Sequence, residues 1–492
     1  MPVPDVRLRT LAEAPLRDGD FVLYWMIATR RSSHSHALDR ALELARQTGK
    51  PLLVLEPLRV GYRWASDRLH AFVLDGMRDQ AEAFGAAGVT YFPYLEPKEG
   101  EGKGLLEALA ARSVAVVTDD FPTFFLPRML EAAADRLEER GVRLEAIDSN
   151  GLYPMYATDR VFARAVDFRR HLHKTLLPHL DAPPHPKPLG GYDLGAATIP
   201  KDVAKKWPAA KLDAIDLASF PIDHSVAVAP ERGGSTSARA CLKRFLEQRL
   251  ARYADARNHP DDDAASGLSP FLHFGHLSMH EVFAALVRRE GWKPSKVDTK
   301  HVAKREGFWG GSAPFESFLD EAITWRELGY NFCSHRLDYD EYASLPDWAK
   351  ATLAEHASDP REKLYTLEQL ERATTYDEVW NAAQRELVAT GRMHNYLRML
   401  WGKKILEWSP SPEEALARMI ELNNKYALDG RNPNSYSGIF WVLGRFDRAW
   451  GPERPIYGTI RYMTSESTKR KLHLKRYLAR WGERKNGALF GA

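Results

Sequence analysis

The chain has 492 residues, of which 44% are hydrophobic and 27% charged, and its formal net charge is +3 at pH 7. The length exceeds what one hydrophobic core usually supports, and the composition excludes a chain that is disordered throughout. The small net charge does not by itself indicate a nucleic-acid-binding protein.

The composition of the two ends of the chain predicts the location of the protein and the structure of its C-terminal segment. Residues 1–20 lack the apolar run of a signal peptide, and no uninterrupted apolar stretch reaches the roughly 18 residues that a membrane helix needs. We therefore expect a cytoplasmic protein without a membrane partner. Residues 466–492 form a basic C-terminal tail, predicted as a solvated helix, with contact to phosphate as the alternative. We also expect a monomer.

The cysteines carry little functional signal. Cys241 and Cys333 are the only two, and they lie far apart in helix-like surroundings. This number and spacing support neither a disulfide framework nor a cysteine-based metal site. We predict two buried free thiols and no metal centre.

The first 150 residues alternate short apolar runs with amphipathic segments. Runs that predict buried strands occupy residues 21–28, 51–57, 89–95, 113–120 and 142–148. Strands alternating with helices predict an α/β Rossmann-like domain with a parallel sheet, which we assign to residues 1–178. Such sheets bind ligands at the carboxyl ends of their strands, but neither GxGxxG nor GxxxxGK[ST] occurs there.

A Pro/Gly-rich stretch separates this domain from a helical one. It begins with DAPPHPKPLGGYDLG, and we predict an interdomain linker over residues 179–232. Residues 233–465 have the pattern of an all-α domain. Within it, Ser269 before Pro270 predicts an N-cap, and the exposed amides of the turn from Ser266 favour an anion such as phosphate. Most N-caps bind nothing, so this turn alone does not establish a site.

Two further stretches of the helical domain have binding features. Glu321 and Trp325 lie four residues apart on one helical face, a spacing typical of surface pairs but also suited to stacking a base and bonding its edge. Residues 421–463 are rich in turn formers and aromatics. A long turn-rich segment inside a helical region is more often a binding loop than a simple connection.

The helix MHNYLRMLWGKKILEW, residues 393–408, places His394, Arg398, Trp401, Ile405 and Trp408 on one stripe. Packing is the commonest reason for aromatics at helical spacing. The alternative is a large flat cofactor that lies against Arg398 and Trp401. The stretch alone does not decide between them.

Seven motifs together resemble the class II cyclobutane pyrimidine dimer photolyases, members of the photolyase/cryptochrome family. They are YADARN, SGLSPFLHFGHLS, FLDEAITWRELGYNF, DEVWNAAQ, MHNYLRMLWGKKILEW, LNNKYALDGRNPN and RPIYGTIRYM, in order over residues 235–465. The resemblance implies an N-terminal α/β antenna domain and a helical catalytic domain that binds FAD. It implies a carbon-carbon lyase, deoxyribodipyrimidine photo-lyase, acting on double-stranded DNA that contains a pyrimidine dimer. In this family, excited reduced FAD gives an electron to the flipped-out dimer.

The resemblance assigns roles on the cofactor side. The residues expected to hold FAD are Tyr253, Ser266, Gly267, Leu268, Ser269, Gln384, Arg392, Arg398, Asn423 and Asp429. Among them, Arg398 paired with Asp429 would keep a cation beside the flavin ring. Asn423 would face the ring nitrogen that changes protonation. Trp401 would lie nearest the flavin, with Trp380 and Trp408 as further members of an electron-transfer group leading to the surface.

The resemblance also assigns the substrate side. Trp325 and Trp441 would wall the flipped dimer, Asn258 would add a polar contact, and Glu321 would bond the pyrimidine edge. Glu321 would do so best if burial keeps it protonated and able to donate. After the first strand the chain has ATRRSSHSHALDRAL, which departs from the family's pattern. Whether a deazaflavin or pterin antenna chromophore binds therefore stays open.

Two alternatives of other classes remain. A cryptochrome-like light sensor would keep FAD and the tryptophans but signal through a partner, and it would have no need of Glu321, Trp325 and Trp441 together. An ordinary Rossmann-type enzyme with a helical appendage is disfavoured by the missing phosphate loop.

Overall fold

The N-terminal region is built on one six-stranded sheet. The computed structural model describes residues 2–483. The strands are β1 Leu8–Ala12, β2 Phe21–Trp25, β3 Leu52–Leu58, β4 Thr90–Leu95, β5 Ser113–Asp119 and β6 Leu144–Ile147. Their order in the sheet is β1-β6-β5-β2-β3-β4. β2 to β6 are parallel to one another, which confirms the predicted parallel sheet.

The edge strand β1 is a correction to the sequence analysis, which did not predict it. It pairs antiparallel with β6, with Leu8 opposite Ile147. Four of its five residues are only half-buried. An edge strand that is partly exposed needs no continuous apolar run, so the pattern that marks the buried parallel strands is missing here.

The helices follow between and after the strands. Within residues 2–483 they are α1 His36–Thr48, α2 Asp67–Ala86, α3 Leu105–Ala110, α4 Leu126–Glu138, α5 Ala165–Thr175, α6 Lys201–Lys206, α7 Gly234–Arg244, α8 Tyr253–Ala256, α9 Ser269–His273, α10 Met279–Glu290, α11 Ala313–Leu319, α12 Arg326–His335, α13 Asp347–Glu355, α14 Leu367–Glu371, α15 Glu378–Thr390, α16 Asn395–Trp408, α17 Pro412–Tyr426, α18 Pro433–Val442, α19 Ser465–Lys471 and α20 Lys475–Trp481. Two π-helical turns, Phe245–Arg249 and Asp320–Trp325, continue α7 and α11. No helix in this described range is both long and apolar enough to span a membrane.

Both faces of the sheet are buried. Side chains that alternate along each strand point to opposite faces. One face packs Phe21, Leu23 and Leu53 against residues of α3 and α4. The other packs Val22, Tyr24 and Val54 against α1. This double burial explains why the strands read as continuous apolar runs.

A buried arginine ties the sheet region to the helical domain. Arg68 of α2 donates to the carbonyl oxygens of Ala227, Leu387, Val388 and Tyr426. Burial lowers the pKa of Arg68 to about 10. A guanidinium has five donors in a fixed plane, so one side chain can join α2, the predicted linker, the end of α15 and the end of α17.

The crevice where the strand order reverses, between β2 and β5, is closed by a carboxylate. Asp119 Oδ2, at the end of β5, accepts from the backbone N–H groups of Ile27, Ala28 and Thr29, each at 2.8 Å. Its Oδ1 accepts from the Tyr24 hydroxyl at 2.7 Å. Open α/β sheets usually bind ligands in this crevice. Here three amides that an anion would need are already bonded to the protein's own side chain.

We expect Asp119→Ala to lower the free energy of unfolding by about 3 kcal/mol or more, because it leaves three buried N–H groups without an acceptor. Asp119→Asn should cost less, since an amide oxygen still accepts. Urea denaturation followed by circular dichroism measures both. The exposed Asp135 of α4 is the control, and Asp135→Ala should change stability by no more than about 0.5 kcal/mol. A loss in Asp119→Ala as small as the control's would contradict this role.

Candidate functional site

The turn Ser266–Ser269 is contacted by the side chains of Arg392 and Cys241. Arg392 donates to the Gly267 carbonyl at 2.9 Å, and it also pairs with Glu231 at 3.1 Å. The Cys241 thiol contacts the Ser266 carbonyl. Gly267 has a φ of +74°, a conformation that favours glycine. Both cysteines are free and buried, as predicted.

Ser269 is not the predicted N-cap. It is the first residue of α9, whose N-cap is Leu268 and whose start has no side-chain capping bond. The Ser269 hydroxyl instead donates to Asp429 Oδ2 at 2.7 Å. A hydrogen bond to a carboxylate is stronger than one to a neutral backbone group, which explains why the hydroxyl turns away from the helix start.

Asp429 joins this turn to α16. Arg398 donates to Asp429 Oδ1 at 3.0 Å, so the predicted ion pair is present, and each side chain is 16% exposed. Burial alone would raise the pKa of Asp429, but Arg398 and the Ser269 hydroxyl outweigh it and hold that pKa below its usual range. The structure thus brings Ser269, Arg398 and Asp429 together as a charged corner.

Two predicted cofactor residues are committed to other protein groups. Gln384 Oε1 accepts from the Trp401 indole at 2.8 Å, and its amide nitrogen lies 3.4 Å from the Glu371 carbonyl. The Asn423 amide nitrogen donates to the Ser435 hydroxyl at 2.8 Å. Gln384 therefore orients Trp401, and Asn423 has a fixed side-chain orientation.

Tyr253 lies in the same part of the structure as Glu321, because Arg257 contacts both side chains. Its ring packs against Phe245 and Phe318, and the Arg257 guanidinium lies 5.7 Å from the ring centre. Arg257 pairs with Glu321 at 2.7 Å. Arg257 was not among the site residues predicted from the sequence, although it stands in YADARN directly before Asn258. Its position was the signal that could have identified it: Arg257 is a cationic residue directly before Asn258, which was already predicted to contact the substrate.

Glu321 and Trp325 lie on a π-helical turn rather than on the regular α-helix that the sequence predicts. Asp320, at the start of this turn, pairs with the buried Arg169 of α5 through two bonds of 2.6 and 3.0 Å. Such turns often occur at functional sites. Burial raises the pKa of Glu321, and Arg257 opposes the shift. The carboxyl therefore retains its proton to higher pH than an exposed glutamate does.

The three predicted electron-transfer tryptophans form one cluster. Trp380 and Trp401 are parallel, with ring centres 6.4 Å apart, and Trp380 meets Trp408 edge-on at 5.5 Å. The Trp380 indole donates to the Trp401 carbonyl at 3.0 Å. Trp380 is the middle member, and Trp401 and Trp408 contact it from the same helix, α16.

Trp408 does not reach the surface, which corrects the predicted exit of the cluster. It is 1% exposed. Tyr376 contacts it edge-on at 5.6 Å and is 59% exposed. Trp408 ends α16 under the segment before α15, so its indole is covered. The exposed end of this aromatic series is the tyrosine.

Trp441 lines a cavity of about 450 Å³ on the outer side of α18. Tyr396, Met399, Trp450 and Arg461 also line it. Trp325 stands directly before α12, which packs closely on α18: a Cβ at Gly329 would lie 2.7 Å from the Pro433 carbonyl oxygen. Trp325 thus ends the turn that leads into the helix packed on α18, but Trp325 and Glu321 are not among the residues that line this cavity.

The basic C-terminal segment is held to the turn after Asn258. Asp261 accepts from the backbone N–H groups of Arg476 and Tyr477 at 2.9 and 2.7 Å. The rings of His259 and His473 stack with centres 4.2 Å apart. This segment forms α19 and α20 rather than one solvated helix. Residues 484–492 of the predicted tail lie outside the described residues.

His259, His473 and Asp262 have ligand atoms within 4.8 Å of one another. Stacked imidazoles direct their lone pairs side by side rather than towards one ion, and His473 already bonds Asp262 at 3.1 Å. We interpret these contacts as part of the attachment of the C-terminal segment.

The residues around the Ser266–Ser269 turn fit a large anionic cofactor. Within residues 2–483, the buried Nε of Arg392 finds no hydrogen-bond acceptor. Gly267 and Arg392 would present donors to a phosphate, and the Arg398–Asp429 pair would lie beside a polar ring. This donor set suits the diphosphate and flavin of FAD.

No family model matches the chain. Deoxyribodipyrimidine photo-lyase from Methanothermobacter thermautotrophicus is 34% identical over 481 residues, covering 96% of this chain and 97% of the relative. The Arabidopsis thaliana enzyme of that name is 33% identical over 473 residues, covering 93% of this chain and 88% of the relative.

Solved structures support the fold. A bacterial class III photolyase from Agrobacterium tumefaciens has a TM-score of 0.67 at 19% identity, covering 95% of this chain and 87% of its own. A Synechocystis cryptochrome has a TM-score of 0.66 at 17% identity, covering 94% of this chain and 89% of its own. The fold is thus the one shared by photolyases and cryptochromes. The chain belongs to this family and, within it, to the deoxyribodipyrimidine photo-lyases.

We expect Arg257→Met to raise the pKa of Glu321 further, because it removes the main cation that opposes the effect of burial. The protein should then keep the Glu321 proton to correspondingly higher pH. Carbon-13 NMR of side-chain-labelled glutamate measures the titration, with the resonance assigned by its loss in Glu321→Gln. Arg252→Met, at an exposed position one turn away, is the control. An unchanged Glu321 midpoint in Arg257→Met would show that this cation does not set its protonation.

Proposed function

We propose that the protein is a class II photolyase that repairs cyclobutane pyrimidine dimers in double-stranded DNA under light. The observation that carries this proposal is the placement of Glu321 and Trp325 on one π-helical turn, with a raised Glu321 pKa and Arg257 beside it. A protonated acid next to an indole can bond a pyrimidine edge while the ring stacks.

The cofactor proposal follows from the charged corner. FAD, when bound in its reduced form, supplies an electron to the dimer after absorbing light. Arg392 and the Ser266–Ser269 turn would bind its phosphates. Arg398 would place a cation near its ring, with the charge of that cation balanced by Asp429. Because Arg398 is already paired, this cation needs no further counterion when the site fills.

On the substrate side, Trp325 and Trp441 would wall the flipped dimer, and Asn258 would add a polar contact. A dimer distorts the duplex, so extruding it costs less than extruding a normal base. Glu321 would donate a hydrogen bond to the pyrimidine edge. Arg257 would limit the rise in the Glu321 pKa that burial causes. Trp380, Trp401 and Trp408 would relay electrons between the cofactor site and Tyr376 at the surface.

Further parts of the proposal concern the whole chain. We propose residues 1–178 as the antenna-type domain, 179–232 as the linker, 233–465 as the catalytic domain and 466–492 as a basic tail. We also propose a cytoplasmic monomer. An absorption spectrum of the purified protein tests whether a deazaflavin or pterin antenna chromophore binds, because such a chromophore would add a near-ultraviolet or violet band.

Binding in the dark tests repair against light sensing. The protein should bind dimer-containing duplex more tightly than the same undamaged duplex, because only the lesion is easily extruded. Trp441→Ala should weaken binding to damaged DNA by about 1–3 kcal/mol, roughly ten- to a hundredfold, and hardly change binding to undamaged DNA. Fluorescence anisotropy of labelled duplexes measures both affinities. A FAD-loaded protein without lesion preference would favour the cryptochrome-like sensor.

We expect Trp380→Phe to block photoreduction of oxidised FAD, because the middle indole of the cluster is lost. Repair by chemically pre-reduced protein should stay largely intact, since the dimer does not receive its electron through this cluster. Absorption spectroscopy under blue light and a single-turnover repair assay separate the two. Trp207→Phe, which removes a buried indole near α3, is the matched control. Normal photoreduction in Trp380→Phe would remove the relay from the proposal.

A further inference from the structure

Lys403 is a fully buried lysine of α16 for which the proposed function has no use. It is 0% exposed, and its ammonium donates to the Val442 carbonyl, the last residue of α18, at 2.5 Å. Gly402 lets the two helices meet, because a Cβ there would lie 2.6 Å from Val442 Cγ2. The Tyr457 hydroxyl donates to the Lys403 carbonyl at 2.7 Å. The Val442 carbonyl therefore fixes the ammonium, and Tyr457 fixes the backbone that carries it.

The same ammonium contacts the Trp441 indole. Lys403 Nζ lies 5.1 Å from the centre of the ring. Arg461 lies 5.4 Å from the same ring, and it is held by Asp447 at 2.8 Å. Cations within about 6 Å of an indole face attract it, most strongly where water is excluded. Trp441 is thus oriented by two cations, of which Lys403 is the buried one.

The charge of Lys403 itself changes near neutral pH. Burial lowers the pKa of Lys403 to about 7, with Asp447 opposing the shift and Arg461 adding to it. The pKa of Asp447 lies below its usual range and that of Tyr457 well above its own. A guanidinium stays charged in proteins. Glu407 is bonded to Tyr457 and Lys404.

We propose that Lys403 is a positioning residue for Trp441: its ammonium, fixed by the carbonyl at the end of α18, holds the indole in place where it lines the cavity. A cation at a helix carboxyl end is favourable, so this contact also stabilises the end of α18 beneath the indole. The effect on DNA rests on the proposed function. The effect on the indole itself does not.

The indole can be followed without DNA. In protein labelled with 5-fluorotryptophan, the fluorine resonance of Trp441, assigned by its loss in Trp441→Phe, should shift with a midpoint near neutral pH. The charged ammonium is present below the Lys403 pKa and lost above it. Lys403→Met should abolish this shift. Lys404→Met, which removes the neighbouring cation that pairs with Glu407, should preserve it. A Trp441 resonance that does not titrate between about pH 6 and about pH 8.5, or that still titrates in Lys403→Met, overturns the proposal.

Binding then tests the consequence. Lys403→Met should lower the ratio of affinities for damaged and undamaged duplex by about three- to tenfold, whereas Lys404→Met should leave it unchanged. In the unmutated protein the ratio should fall as pH rises through neutrality. If folded Lys403→Met keeps the ratio of the unmutated protein, Lys403 has no role in lesion preference, and the proposed function still stands. A ratio of one in the unmutated protein defeats the proposed function, while the fluorine titration still decides whether Lys403 orients Trp441.

Discussion

The helical domain depends on the carboxylate of Asp429. One side chain accepts from Arg398 of α16 and from Ser269 at the start of α9, while its own backbone belongs to the loop after α17. Three segments distant in sequence are thereby fixed at one point. Without this carboxylate, Arg398 would be a poorly solvated cation and the turn before α9 would lose its link to α16. The cofactor proposal requires all three segments to meet there.

Buried cations that end on carbonyl oxygens recur elsewhere in the molecule. Arg68 joins the sheet region to the helical domain in this way, and Lys403 joins α16 to α18. Neither has a carboxylate within bonding distance in the described contacts. The last carbonyl oxygens of a helix lack partners within it, and Arg68 bonds such groups at Val388 and Tyr426, as Lys403 does at Val442. The tertiary contacts between helices are therefore partly polar, which composition alone does not indicate.

The sequence predicted the features that depend on local pattern. Five parallel strands were recognisable because burial on both faces leaves continuous apolar runs, and Arg398 with Asp429 was recognisable through the family motifs. The features it missed depend on partners far along the chain. Ser269 caps nothing because Asp429 competes for its hydroxyl, and Trp408 is buried because Tyr376 covers it. The π-helical turn at Glu321 and the half-buried edge strand β1 leave no distinct local pattern.

Asp119, which bonds the amides of the β2–β5 crevice, also affects which ligands that crevice can bind. Because Asp119 already bonds these three amides, they are not available to a phosphate, which distinguishes this crevice from that of a dinucleotide-binding sheet. A substitution that removed this one carboxylate would free three neighbouring amides that converge on one point, the arrangement that binds an anion.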